Sequence, residues 1–277
     1  MAMSLNSRGI RNLAFGAMYL VLSVWHDSGR ALSMERVRLE SVTRSESTFI
    51  DGYMAKPDGT GPFPAVVLLH GCNGLPADLK AGGGNPWVDR FVDWGYVALV
   101  VDSFSTRGVE EACTTPLAQD RVADAYGGAA FLSRQQFVDT NRIAVLGFSA
   151  GGNAALSAVE QPNFDSYGEQ NHARFKAAIA YYPYCLHDGQ FAASALILIG
   201  ELDDWTPASA CRQMMATRKN VGNPVALVVY PDAYHGFDIA LLQPGRHYFG
   251  HWVEYNQTAA ENALQKVRHF LSENLAN

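Results

Sequence analysis

One serine in this chain stands where a serine can become a nucleophile. It lies in Gly147-Phe148-Ser149-Ala150-Gly151, after the apolar run Ile143-Ala144-Val145-Leu146 and before the small-residue run Gly152 to Val159. A strand, the pattern G-x-S-x-G and a helix together make a nucleophile elbow, a sharp turn that raises the serine Oγ above the edge of a parallel sheet. The flanking glycines remove the Cβ atoms that would clash in such a turn. A serine hydroxyl is a weak nucleophile until a base takes its proton, and the base needs a carboxylate to fix its tautomer.

In this arrangement the acid and then the histidine follow the serine in the chain. Of the histidines after Ser149, His235 stands in Tyr230-Pro231-Asp232-Ala233-Tyr234-His235-Gly236-Phe237, a turn-rich segment beyond the last strand-like run. Active-site loops gather at that rim. The acid should also end a strand. Ala195 to Gly200 runs into Glu201-Leu202-Asp203-Asp204-Trp205-Thr206-Pro207, so either Asp203 or Asp204 can serve, the other being a turn former. Acyl transfer also needs two donors for the developing oxyanion. The N–H of Ala150 is one. Cys72 or Gly71, in Leu69-His70-Gly71-Cys72-Asn73-Gly74, offers the second, with His70 packed beneath that loop.

The elements that must hold these groups follow from periodicity. Val37 to Val42 alternates, as does Thr48 to Ala55, which predicts an antiparallel hairpin. Continuous apolar runs at 65–69, 97–101, 143–146, 177–181, 195–199 and 225–230 suit parallel strands covered on both faces. Helical spacing lies between most of them, at 87–94, 121–132 and 211–218, and again at 259–275. The expectation is an α/β fold of the α/β-hydrolase type, a mostly parallel doubly wound sheet with an N-terminal antiparallel hairpin. No linker interrupts residues 32–277, which read as one domain.

These segments resemble the dienelactone hydrolase family of the α/β-hydrolase superfamily. The resemblance implies hydrolysis of a small ester or lactone, selects Asp203 as the acid and makes Cys72 the second oxyanion donor. It also marks departures. The founding enzymes use a cysteine where this chain has Ser149, and a gating glutamate where it has Gly71. They bind a substrate carboxylate with an arginine near the position of Ile239. Arg107, in the loop Asp102 to Gly108, is the cation that can meet an anionic group instead, or else a structural ion pair. Trp205, Tyr234, Phe237, Tyr248 and Trp252 lie near the expected rim and suggest an apolar acyl or alcohol site, with Trp205 as a substrate-binding residue. A peptidase or acyltransferase on the same triad, or a non-catalytic binding protein, is the alternative.

Composition sets the remaining bounds. The formal charge of −6 and the absence of a basic stripe argue against a nucleic-acid partner. No metal or organic cofactor is expected. Arg8 and Arg11 precede an apolar run from Leu13 to Trp25, followed by the small residues around Gly29-Arg30-Ala31. That is the layout of an export signal, so residues 1–31 are expected to be a signal or N-terminal anchor. The protein would then be periplasmic or secreted, without stable membrane insertion after processing; a cytoplasmic protein is the alternative. The four cysteines permit three pairings. Cys185 and Cys211 follow neighbouring strands, as do Cys72 and Cys113, so Cys185–Cys211 and Cys72–Cys113 are the expected bridges of an exported chain.

Overall fold

The computed structural model describes residues 34–43, 46–81, 84–114, 120–186, 190–218 and 222–276. The export signal expected from the sequence lies outside the described residues. All the described residues fall within one compact unit, Ala31–Asn277.

The strands are β1 (Glu35–Val42), β2 (Ser47–Ala55), β3 (Phe63–Leu69), β4 (Val97–Asp102), β5 (Val138–Phe148), β6 (Ala177–Tyr181), β7 (Ser194–Gly200) and β8 (Val225–Tyr230). They form one sheet in the order β1-β2-β4-β3-β5-β6-β7-β8. β1 pairs with β2, and β2 with β4, antiparallel; every later pairing is parallel. This is the α/β-hydrolase architecture expected from the sequence, with the hairpin at one edge. β1 shows why alternation carried information: Val37, Leu39 and Ser41 are buried while Arg36, Arg38 and Glu40 are exposed. β4 and β6 are buried along their whole length, as apolar strands covered on both faces must be.

The helices are α1 (Ala77–Lys80), α2 (Pro86–Asp93), α3 (Arg121–Ser133), α4 (Ala150–Val159), α5 (Gln161–Asn171), α6 (Ala208–Thr217) and α7 (Gln257–Asn274). Their starts are written in the sequence. Asn85, Asp120 and Asn256 each accept N–H groups at the first turns of α2, α3 and α7. α7 buries Ala259, Ala263, Val267 and Leu271, one face at helical spacing. No helix among the described residues is long and apolar enough to cross a membrane.

The topology decides where chemistry can occur. β3 pairs with β5 so that Leu69 is opposite Gly147, and the loop after Leu69 must therefore run beside Ser149. β7 pairs with β8 so that Gly200 is opposite Tyr230, which brings the loops carrying Asp203 and His235 together. All four loops leave the C-terminal ends of parallel strands, on one edge of the sheet.

Candidate active site

Ser149 is held at φ 52° and ψ −117°, a strained conformation for a residue with a side chain. The sheet enforces it. The Ser149 N–H donates to Tyr181 O at 2.9 Å, and α4 begins at the next residue. A Cβ on Gly147 would lie 2.0 Å from Gly151 O, and one on Gly151 would lie 2.3 Å from Leu69 O. Neither approach is possible for any other residue type, so both glycines are required to bring β5, α4 and the β3 loop this close. Ser149 itself remains partly exposed.

Two further side chains form a row with it. His235 Nε2 lies 3.1 Å from Ser149 Oγ, and His235 Nδ1 lies 2.8 Å from Asp203 Oδ2. An ionised carboxylate only accepts hydrogen bonds, so Asp203 holds the proton on Nδ1 and leaves the Nε2 lone pair facing the serine. Asp203 is buried, and its own turn fixes it: Oδ1 accepts the N–H groups of Trp205 at 3.0 Å and Thr206 at 2.8 Å. The Thr206 hydroxyl lies 2.8 Å from Asp203 Oδ2 and 3.1 Å from Tyr182 O, either of which can accept its proton. Tyr182 packs its ring 4.5 Å from the His235 ring and donates its hydroxyl to Asp238 at 2.8 Å. Desolvation pushes the Asp238 carboxyl above the usual carboxylate range. Asp204, the other acid considered from the sequence, points elsewhere: it is more than half exposed and sits 3.5 Å from His251 Nδ1.

The loop after β3 is tied down from several sides. The buried Arg121 donates Nη2 to His70 O at 2.7 Å. His70 Nδ1 lies 2.7 Å from Gly71 O, and its Nε2 accepts the Ser103 N–H at 3.3 Å. Those partners require the neutral Nδ1–H form. Burial, aided by the charge of Arg121, pushes the His70 pKa well below its ordinary value, in the same direction. His70 thus lies beneath the loop as the sequence suggested. Cys72 O accepts the Ala112 N–H at 2.8 Å, and Cys72 is bridged to Cys113 with Cα atoms 4.8 Å apart. The second expected bridge, Cys185–Cys211, is also present at 4.8 Å and joins the segment after β6 to α6. Among the described residues, the N–H groups of Cys72 and Ala150 make no hydrogen bond, which leaves both available to an incoming oxygen. An open cavity of about 260 Å³ lies beside Ala150, lined by Asp120, Arg121, Val122, Asn153, Ala154 and Ser157.

Arg107 departs from the substrate-binding expectation. Its guanidinium makes a two-pronged pair with the buried Asp124, both contacts at 2.8 Å, and donates to Ser103 O at 2.8 Å. A carboxylate desolvated on α3 needs that cation more than a solvated ligand does, so Arg107 takes the structural alternative. Arg107→Ala will therefore lower stability by about 3 kcal/mol, because it leaves Asp124 buried and unpaired. The thermal midpoint measures that loss. A normal midpoint together with a KM defect confined to anionic esters would return Arg107 to the substrate.

Trp205 does meet the site. Its ring lies 4.9 Å from His235 and is stacked on His251 at the same distance. Three contributors went unread in the sequence: Arg121, Tyr182 and Thr206. Only Thr206 left a local signal, the spacing Asp-x-x-Thr at which an aspartate accepts N–H groups ahead of a helix.

The dienelactone hydrolase family model matches residues 50–275. A Bradyrhizobium protein assigned as a 2-oxo-3-(5-oxofuran-2-ylidene)propanoate lactonase is 25% identical over 200 residues, 67% of this chain and 77% of that protein. The structure of the dienelactone hydrolase-like promiscuous phosphotriesterase P91, from metagenomic libraries, superposes with TM-score 0.68 at 19% identity, covering 88% of this chain and 100% of that one. Esterase 2 of Thermogutta terrifontis superposes with TM-score 0.64 at 20% identity, covering 88% and 94%.

Proposed function

The chain belongs to the dienelactone hydrolase family, and from that premise we propose that it hydrolyses carboxylic esters or lactones through an acyl-enzyme on Ser149. The observation that carries this reading is the row Ser149–His235–Asp203, with contacts of 3.1 and 2.8 Å at a strained serine.

Each step uses one member of that row. Ser149 Oγ attacks the ester carbonyl carbon while His235 Nε2 takes the hydroxyl proton. The carbonyl oxygen becomes an anion and is met by the N–H groups of Ala150 and Cys72, the pair proposed as the oxyanion hole. Asp203 stabilises the imidazolium that forms. His235 then returns the proton to the alkoxide oxygen as the C–O bond breaks, and the alcohol departs. Water repeats the sequence on the acyl-enzyme, releasing the acid and restoring Ser149. No step asks for a cofactor. The two disulfides fit an oxidising compartment, which supports the export reading of the N-terminus.

A panel of p-nitrophenyl esters of increasing acyl length, with lactones and peptidyl p-nitroanilides alongside, tests the reaction class. The expected result is turnover of esters or lactones and negligible cleavage of the anilides. Anilides cleaved faster than every ester would make the protein a peptidase.

A further inference from the structure

The segment after His235 carries aromatic side chains that the core does not use. β9 (Arg246–Tyr248) and β10 (His251–Val253) form a two-stranded hairpin whose turn is Phe249-Gly250. Both positions have positive φ, as in a type I′ turn, which favours asparagine, aspartate or glycine. Here the first position is a phenylalanine at φ 49°. Its ring is not buried to compensate: Phe249 is 41% and Tyr248 39% exposed. A strained backbone carrying an exposed aromatic ring is unfavourable on both counts, and such features cluster at ligand sites.

Trp205 links these rings to the catalytic histidine. Trp205, 4.9 Å from His235, lies 6.0 Å from Tyr248 and 6.1 Å from Phe249, and those two lie 4.6 Å apart. The hairpin is anchored there by a bridge between Val253 and His235 and by the stacking of His251 on Trp205. The chemistry identifies what passes over this platform. His235 Nε2 must reach the leaving oxygen to protonate it, so the alcohol half of an ester sits on the histidine side of Ser149. The acyl half then lies on the other side of Ser149, away from the histidine.

Resting on the ester-hydrolase reading, we propose that Trp205, Tyr248 and Phe249 form a leaving-group subsite for a planar aromatic alcohol. Flat rings packed at these spacings reward an added ring through offset or edge contacts, which a saturated ring of similar size does not make.

The test compares benzyl acetate with cyclohexylmethyl acetate. The acyl group is the same and the alcohols are similarly acidic, so the ratio of kcat/KM reports contacts to the alcohol. The wild-type protein will favour the benzyl ester by about 3- to 10-fold. In Phe249→Asn, where asparagine accepts the positive φ and keeps the turn, the ratio will fall toward one. A wild-type ratio near one, or a ratio unchanged in Phe249→Asn, overturns the proposal. A binding readout separates it from the reaction itself. In the Ser149→Ala protein, 2-naphthylmethanol will show a saturable rise in fluorescence anisotropy that is lost when Phe249→Asn is added. If no ester is hydrolysed the ester-hydrolase reading fails, and this titration decides the subsite alone: an equal rise in both proteins overturns it.

Discussion

Ser149→Ala will lower kcat for a p-nitrophenyl ester by roughly 10⁴- to 10⁶-fold, because the members of a triad act as one unit. The residual rate will come from binding and from the two N–H donors, which do not depend on the hydroxyl. The fold should be unaffected. The backbone of Ser149 is held by its N–H bond to Tyr181 and by the close approaches at Gly147 and Gly151, none of which involves Oγ. Steady-state kinetics with a circular-dichroism melt of the same preparation makes the check. Near-normal kcat with a normal melt would remove Ser149 from the mechanism.

The two adjacent aspartates will separate sharply. Asp203→Asn will cost roughly 10⁴-fold in kcat, while Asp204→Asn will cost less than about five-fold. The asparagine amide at 203 can donate to His235 Nδ1, which moves the imidazole proton to Nε2. The histidine then presents a donor to Ser149 Oγ where a base is required. The same change replaces the carboxylate that accepts the Trp205 and Thr206 N–H groups with a neutral amide, so the loop loses charge-assisted bonds as well. Asp204 is exposed and its partner is His251, a pair of small energetic consequence. Equal losses at both positions, measured on purified variants, would mean that the loop as a whole, and not Asp203 Oδ2, governs His235.

How far such a site can be read from sequence depends on whether its signal is local. The inner parallel strands were legible because burial on both faces leaves continuous apolar runs; β8 carries such a run too but, at the sheet edge, buries only Tyr230, so coverage on both faces does not hold for it. The pattern around Ser149 was legible because its turn is impossible without Gly147 and Gly151. The order of serine, acid and histidine then limited the partners to a few positions. α5 was not legible: it follows α4 directly, and among its eleven residues only Tyr167 and Gly168 are buried, too few to make a period. The hairpin of Arg246–Tyr248 and His251–Val253 read as a loop for the same reason, its strands being three residues each with only Val253 buried. Arg107 shows a different limit. Its charge is visible in the sequence, but its partner Asp124 lies seventeen residues on, across a loop whose path only the folded chain defines. Arg121 and Tyr182 act through contacts to His70 and His235 that no spacing announces.

The central claim is that Ser149 is an activated nucleophile, and covalent labelling tests it most directly. A fluorophosphonate is attacked by a serine whose proton a base can remove, and the phosphonyl oxygen then occupies the position of the oxyanion. The purified protein should take up one adduct per chain, mapped by peptide mass spectrometry to Ser149, and Ser149→Ala and Asp203→Asn should be labelled slowly or not at all. A protein that stays unlabelled while correctly folded, or that carries its adduct on another residue, would contradict the account.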